Sequence, residues 1–250
     1  MIKFFRKIRR QLLSQNRFSK YLLYAVGEIV LVVIGILIAL QINNWNQSRL
    51  DHIEGRNYLL RIDEDLKKDT TFLTTEIKAS KRESDSLTLF LKLIHKKQDS
   101  HIDFIRLLSL TNWNPRNVLI QDNTFLEMNS SGKFDLIKSV ELKKEILEYY
   151  AFRDYVFNHI EVTTKHGFDL VVKILPNLSR YYSYEELKEF DIFRKSDWNW
   201  INDSYDPKFK TLEASASHFR FKAYLITGYY QHLHEKAINI QMLISDSISN

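Results

Sequence analysis

The chain has 250 residues and a formal net charge of +5, from 36 lysines and arginines against 31 aspartates and glutamates. It contains no cysteine, which excludes disulfides and thiol chemistry. Seven basic residues stand among the first twenty, and without those seven and Glu28 the chain carries 29 basic and 30 acidic residues. A basic surface for nucleic acid is therefore not predicted, because most of the chain is close to neutral.

The first twenty residues form a basic amphipathic segment. Apolar residues recur in it at helical spacing with basic residues around them, and no acidic residue is present. The pattern is typical of a helix lying on anionic lipid. A docking peptide for a cytoplasmic partner is the alternative. The residues predicted to bind the membrane surface are Lys3, Arg6, Lys7, Arg9 and Arg10.

Residues 21–42 form an apolar run in which Glu28 is the one charged residue. About 20 apolar residues in a helix cross a hydrocarbon core of about 30 Å, so the run predicts a transmembrane helix. A cleaved signal peptide is disfavoured, because the run is too long and Gln41 stands where a small residue is needed. The basic residues before the run place the N-terminus in the cytoplasm and residues 43–250 on the other side of the membrane.

Within this run, three residues predict a contact between membrane helices. A carboxylate in hydrocarbon is costly and usually faces protein or water, which singles out Glu28. Gly35 and Ala39 follow it by seven and eleven residues and share its helical face. Gly35 and Ala39 also form a small-xxx-small pair, which permits close approach of two helices. The alternatives for Glu28 are a tolerated lone acid and a role in proton or ion conduction.

Apolar residues at three- and four-residue spacing predict a long helix over about residues 47–97, able to continue from the membrane helix. Asp69, Ser80 and Ser84 interrupt its apolar seam. The interruptions favour packing within the chain's own bundle over a continuous coiled coil.

Further helices follow along the chain. They are predicted over 101–110, 123–131, 139–175, a short stretch opening near 183, and 207–247. Gly132 has the position of a helix C-cap, Pro176 is expected to stop the helix before it, and Pro207 suits a first turn. No strand-like alternation persists. The predicted fold is therefore all-α, with a transmembrane helix leading into an extracytoplasmic bundle of long antiparallel helices.

An aromatic-rich loop is predicted over residues 196–206. Trp198, Trp200 and Tyr205 in it stand beside asparagine and aspartate, which suggests a rim that binds a partner. A loop that caps the bundle is the alternative.

Catalytic and metal-binding motifs are not found in the sequence. It lacks a glycine-rich phosphate loop, a G-x-S-x-G elbow and an H-E-x-x-H motif. His232 and His234 are two residues apart, and on a helix that spacing points them to different faces. We therefore predict neither an enzyme nor a bound metal or cofactor.

Two passages carry a family resemblance. Residues 17–46 (RFSKYLLYAVGEIVLVVIGILIALQINNWN) resemble the opening of a large family of uncharacterised membrane-anchored proteins of Bacteroidota, and residues 123–150 resemble its second recurring block. The matching residues in that block are Asn123, Thr124, Ser131, Gly132, Leu136, Ile137, Leu142, Tyr149 and Tyr150. The resemblance implies an integral membrane protein with a helical extracytoplasmic domain, and it implies no activity.

These features predict an interaction or scaffold protein of the inner membrane that presents a helical bundle to the periplasm. Its expected partners are membrane lipid and either another protein or a second copy of the chain. An extracytoplasmic ligand-sensing module that acts through a partner is the alternative function.

Overall fold

The computed structural model describes residues 18–113, 120–190 and 195–249. Regular structure within these ranges is entirely helical, which confirms the predicted all-α class. The α-helices are α1 Phe18–Ile94, α2 His101–Leu108, α3 Asn123–Ser130, α4 Val140–Tyr182, α5 Tyr184–Leu187 and α6 Pro207–Ser249. Short 3₁₀ helices cover Lys133–Leu136, Lys188–Phe190 and Lys195–Asn202.

The chain divides into two units, Met1–Arg56 and Asn57–Asn250. The described part of the first unit is the opening of α1. It contains an 18-residue window with a mean hydropathy of 2.6, none of which is buried inside the chain. By length and composition this helix is a candidate membrane span. The predicted continuity is confirmed, because α1 runs without a break for 77 residues.

In the second unit, α4 and α6 pack side by side and run in opposite directions. Glu148 of α4 lies beside Lys236 of α6, with 3.0 Å between Oε2 and Nζ. Further along α4, the carbonyl oxygen of Thr163 lies 2.8 Å from Nε2 of His218. Residue numbers rise along one helix as they fall along the other, so the predicted antiparallel arrangement is confirmed.

The core of this unit consists of two apolar clusters. Each combines buried side chains from α1, α4 and α6, and burying one such side chain contributes about 1.5–3 kcal/mol. The first cluster includes Ile62, Leu66, Ile146, Tyr149, Leu233 and Ile240. The second includes Phe90, Phe104, Leu178, Trp200, Leu212 and Phe219. The long helix therefore packs within its own bundle, as the interrupted seam predicted.

The chain reverses direction between α3 and α4 by means of two local caps. Gly132 follows α3 with φ 70° and ψ 10°, the left-handed conformation that glycine adopts without strain. The hydroxyl of Ser139 accepts a hydrogen bond from the amide of Leu142 and caps the start of α4. The predicted end of α3 and the predicted start of α4 are confirmed.

The predicted end of α4 at Pro176 is wrong, because the helix continues to Tyr182. Proline removes one backbone hydrogen bond and its ring crowds the preceding turn, at a cost of about 3 kcal/mol. Beyond it, Leu178 and Tyr181 are buried in the second apolar cluster. Burial of these two side chains offsets the cost of the proline and keeps the last turns helical.

The predicted loop over residues 196–206 is also partly wrong, because Lys195–Asn202 forms a 3₁₀ helix. Trp200 and Ile201 of this helix are buried in the second apolar cluster. Nε1 of Trp200 donates a hydrogen bond of 3.1 Å to the hydroxyl of Tyr181. The tight helical turn allows adjacent side chains to enter the core while the indole nitrogen keeps a partner.

Substitution of Gly167 in α4 tests how closely the helices pack. A Cβ added there lies 2.7 Å from Cε2 of Phe219, whose side chain is fully buried. The ring must shift, at about 1–3 kcal/mol, while alanine gains about 1 kcal/mol of helix propensity. We expect Gly167→Ala to lower the free energy of unfolding by up to about 2 kcal/mol. The measurement is urea unfolding of the full chain in detergent micelles, followed by tryptophan fluorescence.

Gly228→Ala is the matched control. Gly228 is exposed on α6, and a Cβ added there meets no atom within 4 Å. This variant should therefore be more stable than the parent, by about 0.5–1 kcal/mol. Equal effects of the two substitutions would contradict the close packing at Gly167.

Candidate functional site

The helix face predicted to contact another membrane helix belongs to the first unit and is exposed. Glu28, Gly35 and Ala39 are all exposed on α1. A Cβ added to Gly35 meets no atom within 4 Å. Among the described residues, nothing covers this face, so it is available to another molecule. The residues predicted to bind the membrane surface, Lys3, Arg6, Lys7, Arg9 and Arg10, lie outside the described residues.

A buried carboxylate, Asp69, lies at the centre of the second unit's polar contacts. Its side chain is fully buried on α1. Oδ1 accepts a 2.7 Å hydrogen bond from the backbone amide of Gln121, and Oδ2 accepts one of 2.9 Å from the hydroxyl of Tyr149. The residue predicted as an interruption of the apolar seam thus joins α1 to α4 and to the segment before α3.

Burial dominates the titration of this carboxyl. Removal from water disfavours the charged form and raises the pKa of Asp69 to about 6, although the hydrogen bonds from Gln121 and Tyr149 oppose the shift. Nearby, Asp65 raises the pKa further and Arg153 lowers it. The same burial, with the negative charge of Asp69, holds the pKa of the Tyr149 hydroxyl above its usual range. Asp69 therefore changes charge near pH 6.

One turn earlier on α1, Asp65 binds the start of α3. The hydroxyl of Thr124 donates a 2.6 Å hydrogen bond to Oδ2 of Asp65, and both residues are buried. At the other end of α3, Glu127 accepts hydrogen bonds from the hydroxyl of Tyr58 at 2.9 Å and from the guanidinium of Arg61. The hydrogen bond from Arg61 holds the pKa of Glu127 below its usual range. Helix α3 is therefore held along α1 at both of its ends.

A buried arginine completes this network from α4. Nη1 of Arg153 lies 2.7 Å from Oδ2 of Asp122, and Nη2 lies 2.7 Å from Oδ1 of Asp154. Asp122 has the N-cap position of α3 but makes no side-chain cap, because its carboxylate binds the arginine instead. The guanidinium also lies over the ring of Tyr150, 5.1 Å from its centroid.

Together these contacts form what we call the clamp: Asp65, Asp69, Gln121, Asp122, Thr124, Tyr149 and Arg153. Its polar groups are paired with one another across α1, α4 and the segment that leads into α3. Sequence reasoning singled out Asp69, Thr124 and Tyr149. It missed the other four residues of the clamp, which are Asp65, Gln121, Asp122 and Arg153. The available signal for Asp65 was its place one helical turn before Asp69 on the apolar seam.

A small polar cavity of about 20 Å³ lies in the same unit. That volume holds about one water molecule. Its lining includes Ser80 and Lys222, which are buried although polar or charged. Ser80 is a second seam interruption that the structure places inside the bundle. The lining residues are Glu76, Ser80, Glu83, Ile160, Thr164, Lys222, Ile226 and Tyr230.

The three aromatic residues predicted as a partner rim have different surroundings. Trp200 is buried in the second cluster, and Trp198 is half-buried and stacks on His101 with 4.4 Å between ring centroids. Tyr205 is 81% exposed. The structure thus does not bring the three together as one exposed surface, and it leaves only Tyr205 with a large accessible area among them.

His159 of α4 and His234 of α6 each take part in a hydrogen bond between helices. Nδ1 of His159 lies 2.8 Å from the hydroxyl of Tyr229, and Nε2 of His234 lies 3.2 Å from that of Thr74. Over the described ranges, no group of three or more His, Asp or Glu side chains is placed to hold a metal ion.

The pKa of Asp69 predicts how the stability of the bundle depends on pH. The folded chain keeps this proton up to about pH 6, whereas an unfolded aspartate loses it near pH 3.8. The stabilisation is therefore full below about pH 4 and is lost as the pH rises through about 6, by at most about 3 kcal/mol. Asp69→Asn stays neutral and lacks this dependence. The stability of the parent relative to Asp69→Asn should fall by about 2–3 kcal/mol between pH 4 and pH 7 in urea unfolding.

Asp169→Asn is the control, because it removes an acidic group from an exposed position on α4. A stability difference between the parent and Asp69→Asn that stays constant with pH would show that folding does not raise the pKa of Asp69.

Comparison with known proteins gives a family and no activity. Residues 28–166 match the model of a family of unknown function, DUF6090. The match covers more than half of the chain and includes the open face of α1 and the whole clamp. No curated protein and no solved structure matches the chain. The chain belongs to the DUF6090 family.

Proposed function

We propose that this protein is anchored in the bacterial inner membrane by the opening of α1, presents its helical bundle to the periplasm, and acts by binding other proteins. The observation that supports the proposal is the exposed apolar window of α1, in which no residue is buried inside the chain. The same helix continues into the core of the bundle. An anchor of this kind tethers the bundle to the membrane.

The apolar window supports a lipid environment over an aqueous one. Large aliphatic side chains are about half exposed or more along it, for example Ile29 at 63% and Leu31 at 70%. Soluble proteins rarely expose a contiguous apolar surface of more than a few hundred Å². In a bilayer the same side chains lie in hydrocarbon, and the helix satisfies its backbone hydrogen bonds internally.

The bundle supports binding better than catalysis. The buried polar side chains of the clamp are paired with one another, so their described contacts hold helices together. The described cavity admits about one water molecule, which is far below the roughly 300–1,000 Å³ of a small-molecule site.

Ligand sensing through a partner is the second candidate, and the cavity favours it. Buried Lys222 and Ser80 line the cavity, and a polar lining of this kind suits a small polar ligand. The cavity would have to widen to admit anything larger than water. A thermal unfolding temperature that rises with a small polar metabolite would favour this candidate.

Cysteine labelling tests the proposed topology. The chain has no cysteine, so each introduced one is a unique label. Ser14→Cys lies in the basic tail, and Ser204→Cys lies at an exposed position of the bundle. We expect a membrane-impermeant maleimide to label Ser204→Cys in spheroplasts and Ser14→Cys only after permeabilisation.

The cysteine-free parent is the labelling control. The opposite labelling pattern would overturn the proposed orientation. Release of the chain from membranes by alkaline carbonate would overturn the anchor itself.

Substitution of Glu28 tests the contact between membrane helices. A carboxyl group in hydrocarbon stabilises a helix pair by hydrogen bonding across it, typically by about 0.6–2 kcal/mol. We expect Glu28→Leu to reduce the yield of crosslinked complexes in membranes by about threefold or more. Leu37→Phe, on the opposite face of the helix, is the control and should leave the yield unchanged. An unchanged yield with Glu28→Leu would rule out the contact.

A further inference from the structure

Residues 43–56, the stretch of α1 that follows the apolar run, place two large aliphatic side chains on one face of a mostly polar helix. Leu50 and Ile53 are each 46% exposed. Ala39, Asn46 and Ile53 recur every seven residues, and Asn43 and Leu50 precede Asn46 and Ile53 by three. This alternation of four- and three-residue steps is the heptad pattern of a two-stranded coiled coil.

The heptad row continues the open face of the membrane helix. At 3.6 residues per turn, the five heptad residues fall within an arc of about 80°. Glu28 and Gly35 fall within the same arc. We call this face the seam: Glu28, Gly35, Ala39, Asn43, Asn46, Leu50 and Ile53. The seam lies entirely within the first unit, and its residues are exposed there.

The charges beside the seam are complementary for a parallel pair of identical helices. Arg49 and Glu54 lie on opposite sides of the seam, five residues apart. In a parallel two-stranded coiled coil, the residue at the position of Arg49 faces a residue of the other helix, namely the one five positions later in the sequence. Arg49 of each copy would then face Glu54 of the other, giving two opposite-charge pairs. An antiparallel pair would not bring them together in this way.

The asparagines of the seam also favour two helices paired in one defined register. An asparagine within a coiled-coil seam favours one register and one number of strands, at a cost in stability. The seam has two asparagines, Asn43 and Asn46, directly after the apolar run. The fourteen residues of 43–56 are too few to form a stable coiled coil alone. Two anchors in one membrane hold the helices parallel and at high effective concentration, which offsets this weakness.

Building on the proposed membrane anchoring, we propose that the seam binds a second copy of this chain, forming a parallel helix pair with Arg49 of each copy against Glu54 of the other. The membrane part of the pair packs through Gly35 and Ala39, and Glu28 forms a hydrogen bond across it. The heptad part carries the pairing beyond the lipid. The protein is then a dimer that holds two bundles at one point of the membrane.

Disulfide crosslinking of the full chain in native membranes tests this pairing. Single cysteines replace Leu50 or Ile53 on the seam, and matched cysteines replace Ser48 or His52 on the other side of the helix, where all four parent residues are exposed. With a copper–phenanthroline oxidant, we expect covalent dimers from Leu50→Cys and Ile53→Cys at several times the yield from Ser48→Cys and His52→Cys. Equal yields at the four positions, or the highest yield at Ser48→Cys, would overturn the proposed face.

Charge exchange tests the alignment of the two copies. In the Ile53→Cys chain, Arg49→Glu or Glu54→Arg alone brings like charges together and should lower the dimer yield by about two- to fivefold. The double variant restores opposite charges and should recover the yield. In the single chain, Nη2 of Arg49 lies 3.4 Å from Oδ1 of Asn46, and the double variant cannot restore that contact. A double variant no better than the single variants would overturn the proposed alignment.

The outcomes separate this inference from the proposed anchoring. A chain that labels as a single-pass membrane protein, yet gives no dimer from any of the four cysteines, overturns the pairing and leaves the anchor standing. A crosslinked product of a mass other than twice that of the chain identifies another protein on the seam, and this also overturns pairing with a second copy.

Discussion

A carboxylate buried without hydrogen-bond donors would destabilise the folded chain by several kcal/mol. The arrangement of the clamp depends on supplying such donors to Asp69. Its two oxygens need donors from different directions, and they obtain them from the amide of Gln121 and the hydroxyl of Tyr149. These donors fix where the chain crosses α1 on its way into α3. The contacts of Asp65 and Arg153 then follow from that crossing.

Much of the fold could be predicted from the sequence because its helices are long and strongly periodic. The apolar run, the three long helices and the cap at Gly132 each have a local signal. The two errors have one physical cause. Around Pro176 and in residues 195–202, local propensity opposes helical structure, but side chains there are buried by distant parts of the chain. Contacts of that kind leave no mark in the neighbouring sequence.

Only part of the clamp could be predicted from the sequence, because its contacts also join residues that are far apart along the chain. Asp69 could be singled out because it is a charged residue among the regularly spaced apolar residues of α1. Its partners, however, lie 52 and 80 residues away along the chain. Arg153 has no comparable signal, since an arginine on an amphipathic helix usually lies at the surface. The exposed face of α1 that Glu28, Gly35 and Ala39 share is the reverse case. Its residues stand next to one another on one helix, so spacing alone was enough to group them.

The polar and charged residues that line the small cavity form a polar layer between the two apolar clusters, and this layer has a consequence for how the bundle can move. If α6 slid along its neighbours by one helical turn, about 5.4 Å, the ammonium of Lys222 would enter apolar surroundings. Burying an unpaired charge costs several kcal/mol. The polar layer therefore opposes sliding of α6 along its own axis. Small rotations of the helices about their own axes leave Lys222 at the same level and avoid that cost.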